Sequence, residues 1–326
     1  MKYLGNKTRI AEFLSTNMNL SGRQGQLGLD LFCGTGSVSV LLKIAGINTV
    51  SNDLLACSST CAEARLLDIA PGPLSSLETT ELEGFIWENY AEHSGVSIFN
   101  DTIAKHIDGA RYALEAHRPT LTRTDYIYYL AQILEAADFR SNIMGSYESF
   151  YKKGWRKQAL TSWSLQSLDL INMKGSTSHC VHNMRADKLL ESVDGSYDFI
   201  YMDPPYNTRQ YASIFHVLET ICLADNPIVS GRVNKRTGWA RSDFSSKRTA
   251  TDAFKRIVAL ASQRTDELFV SYSNEGILSI TDLDEIIKSV FPKTQIFQQS
   301  YRRFKTNSRR QDAPTKVKEI LIHGSK

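Results

Sequence analysis

The chain has 326 residues, of which 42% are hydrophobic and 22% charged, and this balance predicts a globular protein of one large domain or two. Its five cysteines form no C-x-x-C pair, its first residues carry no apolar signal core, and no run is apolar enough to span a membrane. These features argue against a disulfide framework, a zinc site and a membrane protein, so we expect a cytoplasmic protein without a metal. The net charge of +3 is too weak to indicate a nucleic-acid partner by itself.

The first distinctive segment, Tyr3-Leu4-Gly5-Asn6-Lys7, precedes an apolar helical pattern. Gly5 and Asn6 favour a turn, and the side chain of Lys7 is free to reach an anion. Because lysines are mostly exposed, a solvated Lys7 is an equally good interpretation of this segment taken alone.

The first strong unit is a predicted strand over residues 27–32, a glycine turn at residues 33–36 and a helix over residues 37–45. This combination begins the nucleotide-binding half of doubly wound folds, where glycines admit a ligand to the backbone and the helix N-terminus presents free N–H groups. The full dinucleotide fingerprint is missing, because Ser39 stands where a third glycine or an alanine is expected, and the sequence contains no P-loop motif.

A second strand, predicted over residues 47–51, ends in Asn52-Asp53. An acidic residue at the end of the second strand is where Rossmann-like folds bind ribose hydroxyl groups, and Asp53 follows the glycines by the required distance of about 20 residues. Because Asp is also a preferred helix N-cap residue, Asp53 could instead begin the next helix.

Residues 55–170 are mostly helical in pattern, and near their end lies a loop-like segment over residues 142–151. This segment mixes aromatic residues with a glycine, and a basic cluster of Lys152, Lys153, Arg156 and Lys157 follows it. Such mixing suits phosphate contact and base stacking, whereas the alternative is a solvated loop with a charged flank.

The chain is organised around a predicted buried strand over residues 197–202 that runs directly into Asp203-Pro204-Pro205-Tyr206. Two consecutive prolines cannot donate to a sheet, so the strand must end there in a stiff turn. The Asp203 carboxylate and the Pro204 carbonyl can accept both hydrogens of an exocyclic NH2 group, and Tyr206 can stack on the ring that carries it. A flipped-out adenine fits this set, although Asp-Pro alone is a common turn signal.

An acid also follows the strand predicted just before this one, over residues 179–184. Asp187 lies beyond the end of that strand, at the edge of the sheet where open α/β folds bind ligands. An N-cap role for Asp187 is the alternative and is compatible with ligand binding.

Beyond the tetrad, a polar segment over residues 207–211 leads into a helix that contains His216 and Glu219. We find no second pair at metal-ligand spacing, so a satisfied or exposed His216 is favoured over a metal ligand. Further predicted elements are a helix through Phe254 and Ile257 and strands over residues 268–272 and 319–323.

Basic charge is concentrated in the C-terminal third of the chain. Residues 232–248 contain six cations and one acid, and residues 301–310 form a second basic segment. This distribution is the electrostatic footprint expected of a nucleic-acid partner.

Taken in order, these motifs resemble those of the Dam-like (alpha-group) DNA N6-adenine methyltransferases, and within them the FokI-type modification enzymes. Residues 3–7 are similar to their N-terminal cofactor motif, residues 30–36 to their F-x-G-x-G motif, and residues 203–206 to their catalytic tetrad. The extension of the tetrad over residues 207–211 is typical of the FokI-type branch. The resemblance covers essentially the whole chain, and residues 142–150 are loosely similar to a DNA-recognition loop of the family.

The resemblance implies a Rossmann-like class I methyltransferase fold of the α/β class, S-adenosylmethionine as methyl donor, and N6 of an adenine flipped out of double-stranded DNA as acceptor. It implies catalysis by Asp203, Pro204, Pro205 and Tyr206. The cofactor-binding residues that it implies are Tyr3, Lys7, Asp30, Phe32, Gly34, Gly36, Asp53 and Asp187. The DNA-binding residues expected from the resemblance and from the basic segments are Asn142, Tyr147, Lys152, Lys153, Arg209, Arg232, Lys235, Arg236 and Arg303.

The resemblance also implies a division of the chain and a set of partners. Residues 1–60 and 176–326 would form the methyltransferase domain, and residues 61–175 an inserted, mainly helical target-recognition region. We expect a monomer that acts on double-stranded DNA, with a restriction endonuclease as a possible partner.

Three other functions compete with this one. The same chemistry could act on RNA adenine or a protein amide, although Asp203, in place of an asparagine, and the recognition-like loop favour DNA. A non-catalytic nucleic-acid-binding subunit would show degraded motifs, which this chain does not. A dinucleotide oxidoreductase is disfavoured by Ser39.

Overall fold

The computed structural model describes residues 7–172, 177–302 and 316–326. The strands there are β1 (Leu27–Asp30), β2 (Asn48–Asp53), β3 (His179–Asn183), β4 (Phe199–Met202), β5 (Val229–Ser230), β6 (Lys235–Arg236), β7 (Glu267–Ser273), β8 (Lys293–Arg302) and β9 (Lys316–Ser325). The α-helices are α1 (Ala11–Asn17), α2 (Ser37–Ile44), α3 (Ala56–Leu66), α4 (Ser76–Thr79), α5 (Phe85–Tyr90), α6 (Asp101–His117), α7 (Arg123–Arg140), α8 (Ala186–Ser192), α9 (Tyr211–Ile214), α10 (His216–Leu223), α11 (Ala250–Ser262) and α12 (Ile280–Lys288). None of the described helices is both long and apolar enough to cross a membrane.

Seven strands form one sheet in the order β3-β2-β1-β4-β7-β9-β8. The first five are parallel, and β9 runs antiparallel to both β7 and β8. This doubly wound, mostly parallel sheet confirms the predicted Rossmann-like α/β fold. From β1 the chain builds outward through β2 and β3, and it then returns to β4 on the other side of β1, so the carboxyl ends of β1 and β4 flank the switch point where such sheets bind ligands.

The central strand β4 is buried between apolar layers on both faces of the sheet. All four of its residues are buried, as expected of a parallel strand between helices. Phe199 and Tyr201 pack on the α1–α2 side, whereas Ile200 and Met202 pack on the side of α8, α11 and α12. The alternation places both side-chain sets in apolar layers and delivers Asp203, the next residue, to the sheet edge.

A separate helical core lies beside the sheet. Its buried residues come from α3 to α7, with Tyr90, Phe99 and Leu134 among the most enclosed. Helices α9 and α10, which follow the tetrad in sequence, pack into the same core. The segment that carries the tetrad is therefore continuous with the helical layer. The proposed division at residues 60 and 176 stays a prediction.

The structure adds elements that the sequence patterns did not predict. Strand β8 contains Lys293, Thr294 and three Gln residues at the sheet edge, where it pairs with β9 alone, so it lacks the apolar pattern of a buried strand. Its last residues, Tyr301 and Arg302, begin the predicted basic segment over residues 301–310, the rest of which lies outside the described residues. Residues 232–248 include strand β6 of a two-stranded hairpin, where a basic arm was expected.

Candidate active site

A cavity of about 410 Å³ opens at the carboxyl ends of β1 and β4, where the sheet topology predicts a ligand. Its walls come from the glycine turn, the end of β2, the N-terminal part of α8, the tetrad and residues 240–244. Residues predicted from four distant parts of the sequence thus meet in one place.

The glycine turn and the end of β2 are joined directly. The Asp53 carboxylate accepts hydrogen bonds from the backbone N–H of Gly34 at 2.9 Å and of Leu55 at 2.9 Å. Burial raises the pKa of Asp53 to about 6, against the lowering effect of these backbone donors. Asp53 therefore lines the cavity and joins the glycine turn to the residue before α3, but it is not the N-cap of α3, which is Leu55.

Asp30, the last residue of β1, is the most buried acid of the cavity wall. One of its oxygens accepts a hydrogen bond from Ser39 at 2.7 Å, and the other is buried without a hydrogen-bond partner among the described residues. Burial raises the pKa of Asp30 to about 7. An unpartnered acceptor of this kind suits a ligand that brings an amino group.

Asp187 lies in the first turn of α8 and also lines the cavity. Its carboxylate is 3.1 Å from Arg185 and 3.3 Å from Arg256. Burial would raise the pKa of Asp187, but these two cations lower it below its usual value. Asp187 thus remains an ionised acceptor at the cavity wall.

Two aromatic rings form an apolar part of the wall. Phe32, which follows β1, meets Phe244 edge to face with 5.2 Å between ring centroids. Phe244 was not singled out in the sequence, because its segment resembled a basic arm. A flat ligand ring would find an apolar surface here.

Gly36, predicted to bind the cofactor, is not among the residues that line the cavity, and it packs closely against α3. It precedes α2 with a φ of 82°, and a Cβ built on it would lie 2.9 Å from the Ala62 Cα of α3. The position requires glycine because two helices approach closely there.

Asp203 lies at the inner end of the cavity and is paired with Lys7. The Lys7 ammonium is 3.0 Å from Asp203 Oδ1 and 2.7 Å from Glu319 Oε1, and all three residues are buried or nearly so. Glu319, on β9, also accepts a hydrogen bond from Ser271 at 2.6 Å. Lys7 lines the cavity as predicted, but its charge is engaged by these two acids.

The charges in this network oppose one another. Burial raises the pKa of Asp203, Lys7 lowers it, and Glu319 raises it again. Burial alone would lower the pKa of Lys7, but Asp203 and Glu319 together raise it well above its usual value. Lys7 is therefore a fixed cation that favours the ionised form of Asp203.

The rest of the tetrad completes the inner wall. Pro204, Pro205 and Tyr206 all line the cavity. The Tyr206 ring meets Tyr272 edge to face at 6.0 Å, and the Tyr206 carbonyl accepts the N–H of Ile277 at 2.8 Å. The loop is thus tied to the segment that follows β7. Tyr211, which was not predicted, is a further lining residue.

Two predicted DNA contacts are wrong for this conformation, because both side chains are fully buried. Asn142 donates to the carbonyls of Ser97 and Tyr151 and accepts the N–H of Arg156, so it organises its own loop. Tyr147 lies in the helical core with its hydroxyl 3.1 Å from Asp138. Neither can reach DNA without unfolding the loop.

The same loop contains Glu148, whose carboxylate pairs with two residues predicted to bind DNA. Glu148 lies 3.0 Å from Arg209 and 3.1 Å from Lys235, and it also accepts a hydrogen bond from Ser213. Burial would raise the pKa of Glu148, but Ser213 and the two cations lower it to about 2. Arg209, Lys235 and the recognition-like loop therefore meet beside the tetrad.

The remaining predicted DNA contacts differ in exposure. Arg236 is buried and paired with Asp225 at 2.6 Å, so its charge is neutralised inside the protein. Arg232, Lys152 and Lys153 are exposed. Tyr3 and Arg303 lie outside the described residues.

The sequence contained a weak signal for Glu319, an acid that begins an apolar strand pattern. His216 is buried, with its Nε2 atom 3.1 Å from the carbonyl of Tyr147, and burial lowers its pKa to about 4. Within the described ranges, no three His, Cys, Asp or Glu side chains are placed to hold a metal ion.

The sequence of this chain is similar to a known protein family and to several known proteins. Residues 3–286 match the family described as D12 class N6 adenine-specific DNA methyltransferase. The type II methyltransferase M.NlaIII of Neisseria lactamica is 32% identical over 94% of this chain and 93% of its own length. Modification methylase LlaI of Lactococcus lactis subsp. lactis is 30% identical over 100% of this chain, and the type II methyltransferase M.FokI of Planomicrobium okeanokoites is 31% identical over 95% of it. The chain spans about half of the latter two, 55% and 50%.

Proposed function

The chain belongs to the D12 class N6 adenine-specific DNA methyltransferase family, and we propose that it transfers a methyl group from S-adenosylmethionine to N6 of an adenine flipped out of double-stranded DNA. The observation that carries this proposal is the position of Asp203. Its carboxylate follows the central strand, borders the cavity at the switch point, and is held beside the cation of Lys7.

The residues of the cavity fit the cofactor. The unpartnered oxygen of Asp30 suits an amino group, and Asp53 and Asp187, which line the same cavity, would accept from the ribose hydroxyls and from the adenine amine. Gly34 admits a ligand close to the backbone, and Phe32 offers a ring face. The cavity volume of about 410 Å³ is within the range usual for small-molecule sites.

The target adenine presents a chemical problem that the tetrad addresses. The N6 lone pair is delocalised into the ring, so N6 is a poor nucleophile. The Asp203 carboxylate and the Pro204 carbonyl would accept hydrogen bonds from the two N–H groups of N6 and so favour the pyramidal amine. They would also stabilise the positive charge that develops on this nitrogen. When bound, S-adenosylmethionine supplies an electrophilic methyl group.

Tyr206 would hold the flipped base by stacking. Positioning of the base against the methyl donor lowers the activation barrier of methyl transfer by several kcal/mol. Because burial raises the pKa of Asp203, its carboxylate is a stronger acceptor for the N6 hydrogens than an exposed aspartate. The chemistry requires no covalent intermediate on the protein.

The test is methyl transfer from labelled S-adenosylmethionine to unmethylated genomic DNA, followed by single-molecule mapping of modified bases. The parent should label adenine N6 in one short sequence context. Asp203→Ala should retain cofactor binding and lose transfer, whereas Asp266→Ala, which removes an exposed aspartate after α11, should behave as the parent does. Transfer by Asp203→Ala near the parental rate would refute the mechanism.

We also propose that the protein is the modification enzyme of a restriction-modification system and acts as a cytoplasmic monomer. The names of the relatives, type II methyltransferases and modification methylases, support the first part. The residues that line the cavity include the tetrad and the glycine turn, so the site would not need a second subunit, as expected of a monomer. Sedimentation with and without DNA tests the oligomeric state, and a cognate endonuclease should cleave the unmethylated form of the mapped sequence.

A further inference from the structure

We propose that Gln210 is a positioning residue: it connects the outer wall of the cofactor cavity, residues 240–244, to the catalytic loop, residues 203–210. Through this connection, cofactor binding and DNA binding strengthen each other. The coupling to DNA rests on the function proposed above. Gln210 contacts the backbone of Ser242, a residue 32 positions further along the chain.

The outer wall has little support of its own. Residues 240–244 all line the cavity, yet Ala240, Arg241 and Asp243 are exposed. Apart from a single turn of 3-10 helix at Asp243–Ser245, the segment between β6 and α11 has no regular structure after the hairpin. A wall of this kind needs side-chain ties to keep its shape.

Gln210 supplies two such ties to one residue. Its Nε2 atom donates to the Ser242 carbonyl at 3.0 Å, and its Oε1 atom accepts the Ser242 N–H at 2.8 Å. A primary amide is the side-chain group that offers a donor and an acceptor side by side, so Gln210 substitutes for a neighbouring strand. Glutamate would retain the acceptor alone, and alanine would retain neither.

Further contacts tie the wall to both of its neighbours. On the cofactor side, Asp243 pairs with Arg185 at 3.1 Å and Phe244 packs on Phe32. On the catalytic side, the Ser245 hydroxyl donates to the Arg209 carbonyl at 3.1 Å. Gln210 and Arg209 are adjacent and follow the tetrad by a few residues, so the wall and the catalytic loop move as one unit.

The same segment reaches the proposed DNA surface at its other end. Lys235, five residues before Ala240, contacts Glu148 of the recognition-like loop and donates to Ser213 of α9 at 2.5 Å. Residues 235–245 therefore run without interruption from the Glu148 cluster to the cofactor cavity. A ligand that orders one end of this segment lowers the cost of ordering the other, which gives positive coupling between the two sites.

The experiment measures the Kd of S-adenosylmethionine by calorimetry, with and without sheared unmethylated genomic DNA, and the hydrogen exchange of residues 240–245. In the parent, DNA should tighten cofactor binding about fivefold or more, the lower end of usual couplings. Gln210→Ala should weaken cofactor binding about tenfold, abolish the coupling and speed exchange at the Ser242 amide, in keeping with two lost hydrogen bonds. Gln210→Glu should fall between the two.

Gln263→Ala is the matched control, because it removes an exposed glutamine after α11 that does not line the cavity, and it should bind cofactor as the parent does. Gln210 is partly exposed, so its variants should fold, and their thermal unfolding should match that of the parent. Unchanged cofactor Kd and unchanged Ser242 exchange in Gln210→Ala would overturn the proposal. A parent that binds cofactor but never methylates DNA would instead refute the proposed function, since the exchange and the DNA-free Kd do not depend on DNA.

Discussion

The charge on Asp203 depends on two residues that act in opposite directions, and this makes the network testable by pH. Lys7 lowers the pKa of Asp203, whereas Glu319 raises it. In the proposed mechanism transfer requires the ionised carboxylate, so we expect it to be lost as pH falls through the pKa of Asp203. Lys7→Met should move this acid limb to higher pH and Glu319→Gln to lower pH, each by about one unit, as expected for removal of one close charge.

The matched variant is Lys7→Arg, which retains the cation and should keep the acid limb near its parental position. The measurement is the pH dependence of kcat at saturating cofactor. A loss of activity in Lys7→Met that is equal at every pH would indicate that Lys7 supports the fold and does not tune Asp203.

Tyr206 should contribute through its ring face. Base stacking on an aromatic ring contributes about 1–3 kcal/mol, so Tyr206→Ala should reduce kcat/KM for DNA by roughly 5- to 150-fold. Tyr206→Phe retains the ring and its edge-to-face contact with Tyr272, so its effect should be small. Steady-state kinetics with unmethylated DNA measures both, and a larger loss for phenylalanine than for alanine would contradict the stacking role.

At the scale of elements, helix α3 begins with a cap supplied from another helix. The two Glu219 oxygens of α10 accept the N–H groups of Ala56 at 3.0 Å and Cys57 at 2.9 Å, at the positive end of α3. Glu219→Ala should lower the free energy of unfolding by about 1–2 kcal/mol, the usual range for a lost N-cap, and Glu219→Gln by less.

Urea unfolding of the protein without ligands measures this effect. Because α3 begins three residues after Asp53, a frayed helix start should also weaken cofactor binding in Glu219→Ala. Equal unfolding free energies for the parent and Glu219→Ala would show that solvent replaces the cap.

Elements with strong apolar or glycine patterns were predictable from the sequence, and those defined by distant partners were not. Strand β4 and the tetrad carry four buried residues and two prolines, so their position and the end of the strand follow from local rules. Edge strand β8 has a polar sequence, and only its pairing with β9 makes it a strand. Asn142 and Tyr147 were predicted as exposed recognition residues, because their burial is a tertiary effect: Tyr147 contacts α9 and α10, and Asn142 contacts residues 97 and 98.

The same distinction applies to the site. Asp30, Gly34, Asp53, Asp187 and Asp203 line one cavity because each lies at or just beyond the carboxyl end of a parallel strand, a relation that the motif order already contains. Glu319 and Gln210 act through partners more than 30 residues away, Lys7 and Ser242. Contacts of that length require the folded structure.

At the scale of the whole molecule, the net charge of +3 matters less than which cations are free of acidic partners. Asp225 neutralises Arg236, and Glu148 holds Arg209 and Lys235. The exposed cations that remain in the same region include Arg232 and Lys247. DNA affinity should therefore depend on a subset of the basic residues, and the dependence on salt identifies that subset.

Each cation that contacts a phosphate releases a counterion, so the slope of log K against log salt is about −0.9 per contact. Arg232→Ala should make this slope less steep by about one unit, whereas Arg236→Ala should leave it unchanged, because Arg236 is buried against Asp225. Lys288→Ala, which removes a cation paired with Asp284 on α12, is the control of equal charge. Fluorescence anisotropy with labelled duplex DNA at several salt concentrations measures the slopes. Equal slopes for the parent and Arg232→Ala would place the phosphate contacts elsewhere on the surface.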